Sequence, residues 1–283
     1  KHKNDALYEY KFCLPKFKEL LNFKKENFDV VIIRDPYSFI SIFFALTAKI
    51  NSTKIIFYTQ RDIHRRNTIS NDFAFNLLIK FFSAKWISPC LGDRNKYNKK
   101  NSHIYYIPFC MDIENYEKIW FKDDVINILT IGKFVERKNH HLLINALKNL
   151  SKKFKFRLTI IGELSNTTGN EYYEKIIELS KNVDFKIDIK LNMKRNEVFN
   201  EYKNHDIFIL ASRNEPASVS NLEAMAFGLP IITSDTNKTS IYTQNSGFIF
   251  KSDSEIDLTR QLDKLLISRT NIIDMGKESL NTV

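Results

Sequence analysis

Short apolar runs alternate with longer segments of helical periodicity along almost the whole chain. Residues 29–33 (Asp-Val-Val-Ile-Ile) read as a buried strand, followed by helical spacing over 37–49. A second strand at 54–58 precedes a strongly apolar helix at 71–83, and strands at 85–88 and 103–107 complete a first β/α series. The stretch 112–124 is polar and charged and reads as a linker. The alternation then restarts, with strands at 125–131, 156–161, 185–191, 207–210 and 231–233. Helices at 139–150, 171–180, 196–203 and 219–227 separate them, and a last amphipathic helix covers 255–268. Continuously apolar strands with a helix between each pair predict parallel sheets covered on both faces. Two such series predict two α/β domains, 1–111 and 125–283, joined by 112–124. Ligands of such sheets bind at the carboxyl ends of the strands, so candidate chemistry belongs there.

Composition narrows this picture. Glycine is scarce, with 7 in 283 residues, where average usage of about 7% would give roughly 20. Neither G-x-G-x-x-G nor G-x-x-x-x-G-K-[ST] occurs, which excludes the dinucleotide fingerprint and the P-loop. With 43% hydrophobic residues, 23 Phe and 12 Tyr, the chain has ample material for two cores, and a disordered chain is excluded. The net charge of +10 is uneven: residues 1–120 carry 20 basic and 12 acidic side chains, residues 121–283 carry 23 and 21. A basic amino-terminal half suits an anionic partner such as nucleic acid, a membrane surface or a phosphorylated substrate, although a generally lysine-rich composition accounts for the same excess. Cys13, Cys90 and Cys110 are odd in number and form no C-x-x-C, which argues against a disulfide framework or zinc site and fits a reducing cytoplasm. The start shows no signal-peptide pattern. The apolar run 39–50 is broken by Ser41, Thr47 and Lys49 and is too short to cross a bilayer. The expectation is a cytoplasmic protein, free or peripheral on the inner face of the membrane.

Two segments carry candidate chemistry. Gly132 ends the strand 125–131 and opens Gly132-Lys133-Phe134-Val135-Glu136-Arg137-Lys138-Asn139. Cations at a strand end, just before a helix N-terminus, suit a phosphate or diphosphate; on charge alone a solvated basic turn fits as well. After the strand 207–210 comes Arg213-Asn214-Glu215-Pro216-Ala217-Ser218-Val219. Glu215 lies in the loop and Glu223 eight positions on, roughly two turns into the next helix. Gly228 and Pro230 terminate that helix. Two carboxylates at one strand end repel phosphate and suit hydrogen bonds from sugar hydroxyls, although surface glutamates meet the same spacing by chance. In the helix 71–83, Phe73, Leu77, Phe81, Leu78 and Phe82 recur beside Lys80 and Lys85, as either a packing face or a membrane-facing one.

Glu215 through Glu223 resembles the E-x7-E signature of retaining glycosyltransferases of GT-B fold, family 4. Gly132-Lys133 through Lys138-Asn139 resembles that family's diphosphate clamp, Leu158–Glu163 its L-x-I-x-G-x-G strand, and Tyr106–Asp112 its interdomain crossover. The four segments stand in family order over roughly residues 28–280. The resemblance implies two Rossmann-like domains and a hexosyltransferase-type enzyme that moves a sugar, with retention, from a nucleotide-diphosphate sugar. The implied acceptor is a polysaccharide or glycolipid precursor. Lys133 and Lys138 would bind the donor diphosphate beside Gly132 and stabilise the leaving nucleotide. Glu223 would take the ribose hydroxyls and Glu215 the hydroxyls of the donor sugar. The backbone N–H groups of Ala217, Ser218 and Val219 would meet phosphate. No cofactor and no metal are implied, since no D-x-D stands at a strand end and the cations do the neutralising. Anionic membrane is an implied peripheral partner and nucleic acid is not.

Departures from the family pattern are specific. Pro216-Ala217-Ser218 replaces the commoner Gly-Phe-Gly, Lys133 replaces the commoner Arg and loses its bidentate fork, and Ser234-Asp235-Thr236-Asn237 lacks the usual glycine pair. The family histidine after the second strand has no direct match, so Arg61 or His64 would serve the acceptor side, with Gln60 a further alternative. The opening β/α units of the family have no counterpart before Lys1, and the first domain is therefore expected to be incomplete. Two other readings stand beside this one: a GT-B nucleotide-sugar epimerase, and a basic binding module without catalysis.

Overall fold

Val30–Arg34 (β1), Lys54–Tyr58 (β2), Lys85–Ser88 (β3) and Ile104–Tyr106 (β4) pair in that order, all parallel, in a computed structural model. The structure describes residues 16–60, 69–90, 103–112, 116–164 and 169–283. The helices Phe17–Lys25 (α1), Phe39–Ile50 (α2) and Ile69–Phe82 (α3) belong to this unit. Ile33, Ile55, Phe57 and Trp86 from one face of the sheet form a core with Ala45, Ala48, Ile79 and Phe82 from α2 and α3. The apolar helix therefore splits its duties: Ile79 and Phe82 pack inward, while Leu77 and Phe81 are more than half exposed. Trp86 Nε1 donates to Thr59 Oγ1 at 2.8 Å, which satisfies the one polar atom of a buried ring.

The chain divides between Pro108 and Phe109 into two compact units. The stretch read as a linker belongs to the second of them. Tyr116 Oη donates to the Phe227 carbonyl at 2.7 Å, Lys118 Nζ to that of His205 at 2.7 Å, and the Phe121 amide to Asp206 Oδ1 at 2.8 Å. Polarity marked 112–124 as a connector, but Tyr116, Lys118 and Phe121 within it find partners in the body of the second unit.

That unit is built on Ile126–Ile131 (β5), Phe156–Gly162 (β6), Lys186–Leu191 (β7), Ile207–Leu210 (β8), Ile231–Ser234 (β9) and Gly247–Phe250 (β10). The strands are parallel in the order β10-β9-β8-β5-β6-β7. Alternate residues serve opposite faces, as the two-residue period of a strand requires. Ile207 and Ile209 join one core with His140–Lys148 (α4), Gly169–Lys181 (α5) and Glu255–Leu266 (α8). Phe208 and Leu210 join the other with Arg195–Asn204 (α6) and Val219–Ala226 (α7). The chain runs outward from β5 through β6 and β7, then returns to start β8 on the far side of β5. The adjacent carboxyl ends of β5 and β8 thus form a topological switch point, where loops diverge and leave a crevice.

A final helix, Arg269–Thr282 (α9), follows α8. Its periodicity is weak because it buries little beyond Ile272, Gly276 and Ser279. Gly276 lies so close to the Gly228 carbonyl and the Trp120 ring that a Cβ there would meet both. Among the described residues, no helix is long and apolar enough to cross a membrane.

Candidate functional site at the strand switch point

Three loops converge on Glu215. The loop after β5 continues through a 3-10 turn, Glu136–Lys138, to Asn139, whose left-handed φ of 59° starts α4. The loop after β8 is tied to it by Arg213 N–H donating to the Arg137 carbonyl at 2.8 Å. The loop after β9 joins through Lys238 N–H to the Glu215 carbonyl at 3.0 Å. Asp253 braces the arrangement: its Oδ1 accepts from Asn139 Nδ2 at 3.0 Å and pairs with Arg213.

Within this frame Lys138 Nζ and Arg137 Nη1 both lie 2.7 Å from Glu215 Oε2. The Lys138 and Glu215 side chains are 12% and 11% exposed, so this is an ion pair largely withdrawn from water. Burial pushes the Glu215 carboxyl up, but Lys138 and Arg137 together outweigh it and hold the group below its ordinary value. Gly132 is needed for this geometry, because a Cβ there would press on Lys138 Cδ at 2.9 Å. Gly162 serves the same end one strand away, where a Cβ would collide with the Gly132 carbonyl oxygen. That oxygen lies 3.2 Å from His140 Nε2, and burial lowers the His140 pKa to about 4, so at neutral pH the ring is uncharged and its Nε2–H donates.

Lys133 stands apart. Its ammonium lies 3.6 Å from Glu163 Oε2, with both side chains 63% exposed. The cation placed beside Lys138 is Arg137, a residue within the recognised segment that the family pattern left without a role.

Glu223 sits on α7, a little over one turn from its start at Val219 rather than two, because Pro216 to Ser218 stay outside the helix. Ser218 is the N-cap, and its Oγ accepts from Asn221 N–H at 3.2 Å. The N–H groups of Ala217, Ser218 and Val219 donate to no backbone or side-chain group among the described residues. Asn221 Nδ2 donates to Thr239 Oγ1 at 3.3 Å, which anchors this end of the helix to the loop after β9. At the other end Gly228 takes φ +68°, the left-handed position after a C-cap. Glu223 Oε2 accepts from Tyr202 Oη at 3.1 Å, and Oε1 pairs with Arg195 Nη2 at 3.0 Å. Burial raises the Glu223 carboxyl, while Tyr202 and Arg195 oppose the rise. The two glutamates therefore occupy different surroundings, one neutralised by two cations and one held by a phenol and a guanidinium. Arg61 and His64 lie outside the described residues. Among those described, no group of three or more His, Cys, Asp or Glu is placed to hold a metal ion.

The second unit is thus a doubly wound parallel sheet with cations and carboxylates at its switch point. The family of glycosyl transferases group 1 matches residues 112–279, and the chain belongs to it. An uncharacterized glycosyltransferase of Haemophilus influenzae is 26% identical over 156 residues, 54% of this chain and 42% of that protein. The capsular polysaccharide biosynthesis glycosyltransferase CapH of Staphylococcus aureus is 24% identical over 288 residues, 95% of this chain and 77% of CapH. Among solved structures, a glycosyltransferase from Rickettsia africae superposes with a TM-score of 0.72 at 18% identity, covering all of this chain and 77% of that one. Alr3699/HepE of Anabaena, solved with UDP, gives 0.72 at 11% identity over 93% of this chain and 75% of its own. The α/β fold with two parallel sheets is that of GT-B glycosyltransferases.

Proposed function

We propose that this glycosyltransferase is a family 4 enzyme that transfers a hexose, with retention, from a nucleotide-diphosphate sugar to a polysaccharide or glycolipid precursor. The observation that carries the reading is the Lys138–Glu215–Arg137 cluster at the β5/β8 switch point. In this mechanism Lys138 and Arg137 neutralise the diphosphate as the bond from the anomeric carbon to the phosphate oxygen breaks. The acceptor oxygen forms its bond to the same face of that carbon, and its proton passes to the departing diphosphate oxygen. Glu215 accepts hydrogen bonds from hydroxyls of the donor sugar and fixes the anomeric carbon so that its diphosphate-bearing face meets the acceptor. Glu223 accepts from the ribose hydroxyls, and the N–H groups of Ala217, Ser218 and Val219 meet phosphate at the start of α7. Lys133, paired with Glu163 at the rim, adds long-range attraction for the anionic donor. No metal is needed where two side-chain cations supply the charge. The proposed acceptor class agrees with CapH, whose name places it in capsular polysaccharide biosynthesis.

The test is a panel of UDP-, GDP- and ADP-hexoses, with transfer and donor hydrolysis followed together and the product anomer read by NMR. The expected result is turnover of one nucleotide class without added metal and with the donor's anomeric configuration kept. An inverted product overturns the retaining mechanism, and turnover only with a divalent cation overturns the metal-independent one.

The same proposal places the protein in the cytoplasm, at an anionic membrane surface. Helices α2 and α3 expose Phe43, Ile50, Leu77 and Phe81, with Lys49, Lys54 and Lys80 also at the surface. Apolar side chains among lysines suit the headgroup region of anionic lipid. Sedimentation with phosphatidylglycerol-containing vesicles is expected to pull the protein down at low salt. Vesicles of phosphatidylcholine alone should not, and equal behaviour on both would remove the membrane from the proposal.

A further inference from the structure

Helix α6 makes two separate contacts with Glu223, and it makes them with residues seven positions apart. At 3.6 residues per turn, Arg195 and Tyr202 fall on one face of the helix. Tyr202 donates its hydroxyl to Glu223 Oε2 at 3.1 Å and lies 3.3 Å from the Ser220 carbonyl. Its ring is fully buried, stacks on Phe227 at 5.3 Å with an interplanar angle of 10°, and tilts against Phe208 at 5.9 Å. Burial and the neighbouring Glu223 charge push the phenol well above its ordinary range, so it stays a proton donor. Arg195 approaches Oε1 from the exposed side, with its guanidinium 4.9 Å above the Phe199 ring. The helix itself is held at its C-terminal end by Lys118, whose ammonium donates to the carbonyls of His205 at 2.7 Å and Tyr202 at 3.4 Å.

A carboxylate offers roughly four acceptor positions, about two on each oxygen. Tyr202 takes one on Oε2 and Arg195 one on Oε1, which fixes the plane of the group and leaves one position on each oxygen. Two acceptor positions side by side, at fixed separation, match the two hydroxyls of a vicinal diol. We propose that Tyr202 and Arg195 are positioning residues that set the plane of Glu223 so that the site selects a ribonucleotide by its 2′,3′-diol. The proposal rests on the reading of Glu223 as the ribose-binding residue.

The experiment measures Kd by calorimetry on the full chain for UDP and 2′,3′-dideoxy-UDP, with the GDP and ADP pairs run alongside. Wild-type protein should prefer the ribo form by about tenfold, the scale of a hydrogen bond to a charged group. Tyr202→Phe should erase most of that preference by weakening UDP binding while leaving the dideoxy form unchanged. Arg195→Ala should erase part of it, and Arg195→Lys should recover some. Equal losses for both nucleotides in Tyr202→Phe, or an undiminished preference, overturn the positioning role. If Tyr202→Phe fails to fold, Arg195→Ala carries the same readout, since its side chain is mostly exposed. Glu223→Gln separates the two claims. A preference that survives in Glu223→Gln, or the absence of nucleotide binding in wild-type protein, defeats the ribose reading itself. A preference lost in Glu223→Gln but kept in Tyr202→Phe and Arg195→Ala defeats only the positioning.

Discussion

Replacing Glu215 with Ala is expected to lower kcat for sugar transfer by about 100-fold or more, the scale of losing a group that orients the reacting centre. Nucleotide binding should not weaken with it. In the native site Glu215 occupies Lys138 and Arg137 at 2.7 Å each, so its removal leaves two cations facing the crevice without their carboxylate. A diphosphate then gains two stronger partners and loses a repelling charge. Initial rates with the donor found in the panel, set beside the Kd of UDP, GDP or ADP, separate the two effects. Transfer near the wild-type rate would remove Glu215 from the reacting centre. Nucleotide affinity falling in parallel with rate would recast it as part of the nucleotide site.

Lys138→Ala should act in the opposite order, on binding first. Its ammonium is nearly enclosed, and truncating one member of a buried charge pair costs about 2–5 kcal/mol. Affinity for the diphosphate should therefore fall on the order of 100-fold. The pH profile provides an independent check. In the proposed mechanism the ionised Glu215 is the working form, and in native protein its pKa lies below the ordinary carboxylate value, so activity is expected to be lost only as pH falls through that lowered value. Without Lys138, burial pushes the carboxyl up with Arg137 alone opposing. The acidic limb of log kcat/KM against pH should move to higher pH. Folding stability shifts the same way: the contribution of the paired carboxylate is present above its unfolded pKa and lost as pH falls through the folded one. An unmoved acidic limb would show that another group controls it.

Much of the second unit was legible in the chain because its central strands are buried on both faces and read as nearly unbroken apolar runs, as at Ile207–Leu210. The helices α1 and α9 escaped the pattern. Helix α9 buries a glycine and a serine beside Ile272, so close approach of backbones replaces an apolar stripe. The segment 112–124 misled by composition, since polar and aromatic residues that bind carbonyls and carboxylates look the same in one dimension as solvated ones. At the site, motif spacing located Lys138, Glu215 and Glu223 on loops or helices at the carboxyl ends of strands. It could not tell which neighbouring cation turns inward. Lys133 lies ahead of the 3-10 turn Glu136–Lys138 and Arg137 within it, and the turn brings Arg137 round to Glu215. Tyr202 left a signal that only a helical wheel would have shown, sharing a face with Arg195 two turns earlier.

The anchoring of residues 116–124 bears on where this protein can be cut. Asp206 receives the amides of Phe121 and Asn127, and Lys118 secures the last carbonyls of α6. A fragment begun at Val125, where the regular strand pattern starts, would retain Asn127 on Asp206 but strip the cation from the end of α6, whose Arg195 and Tyr202 contact Glu223. Begun at Phe109, it keeps both. The severing point that keeps the support of Glu223 whole therefore lies some seventeen residues before β5, in a stretch whose appearance invites the scissors.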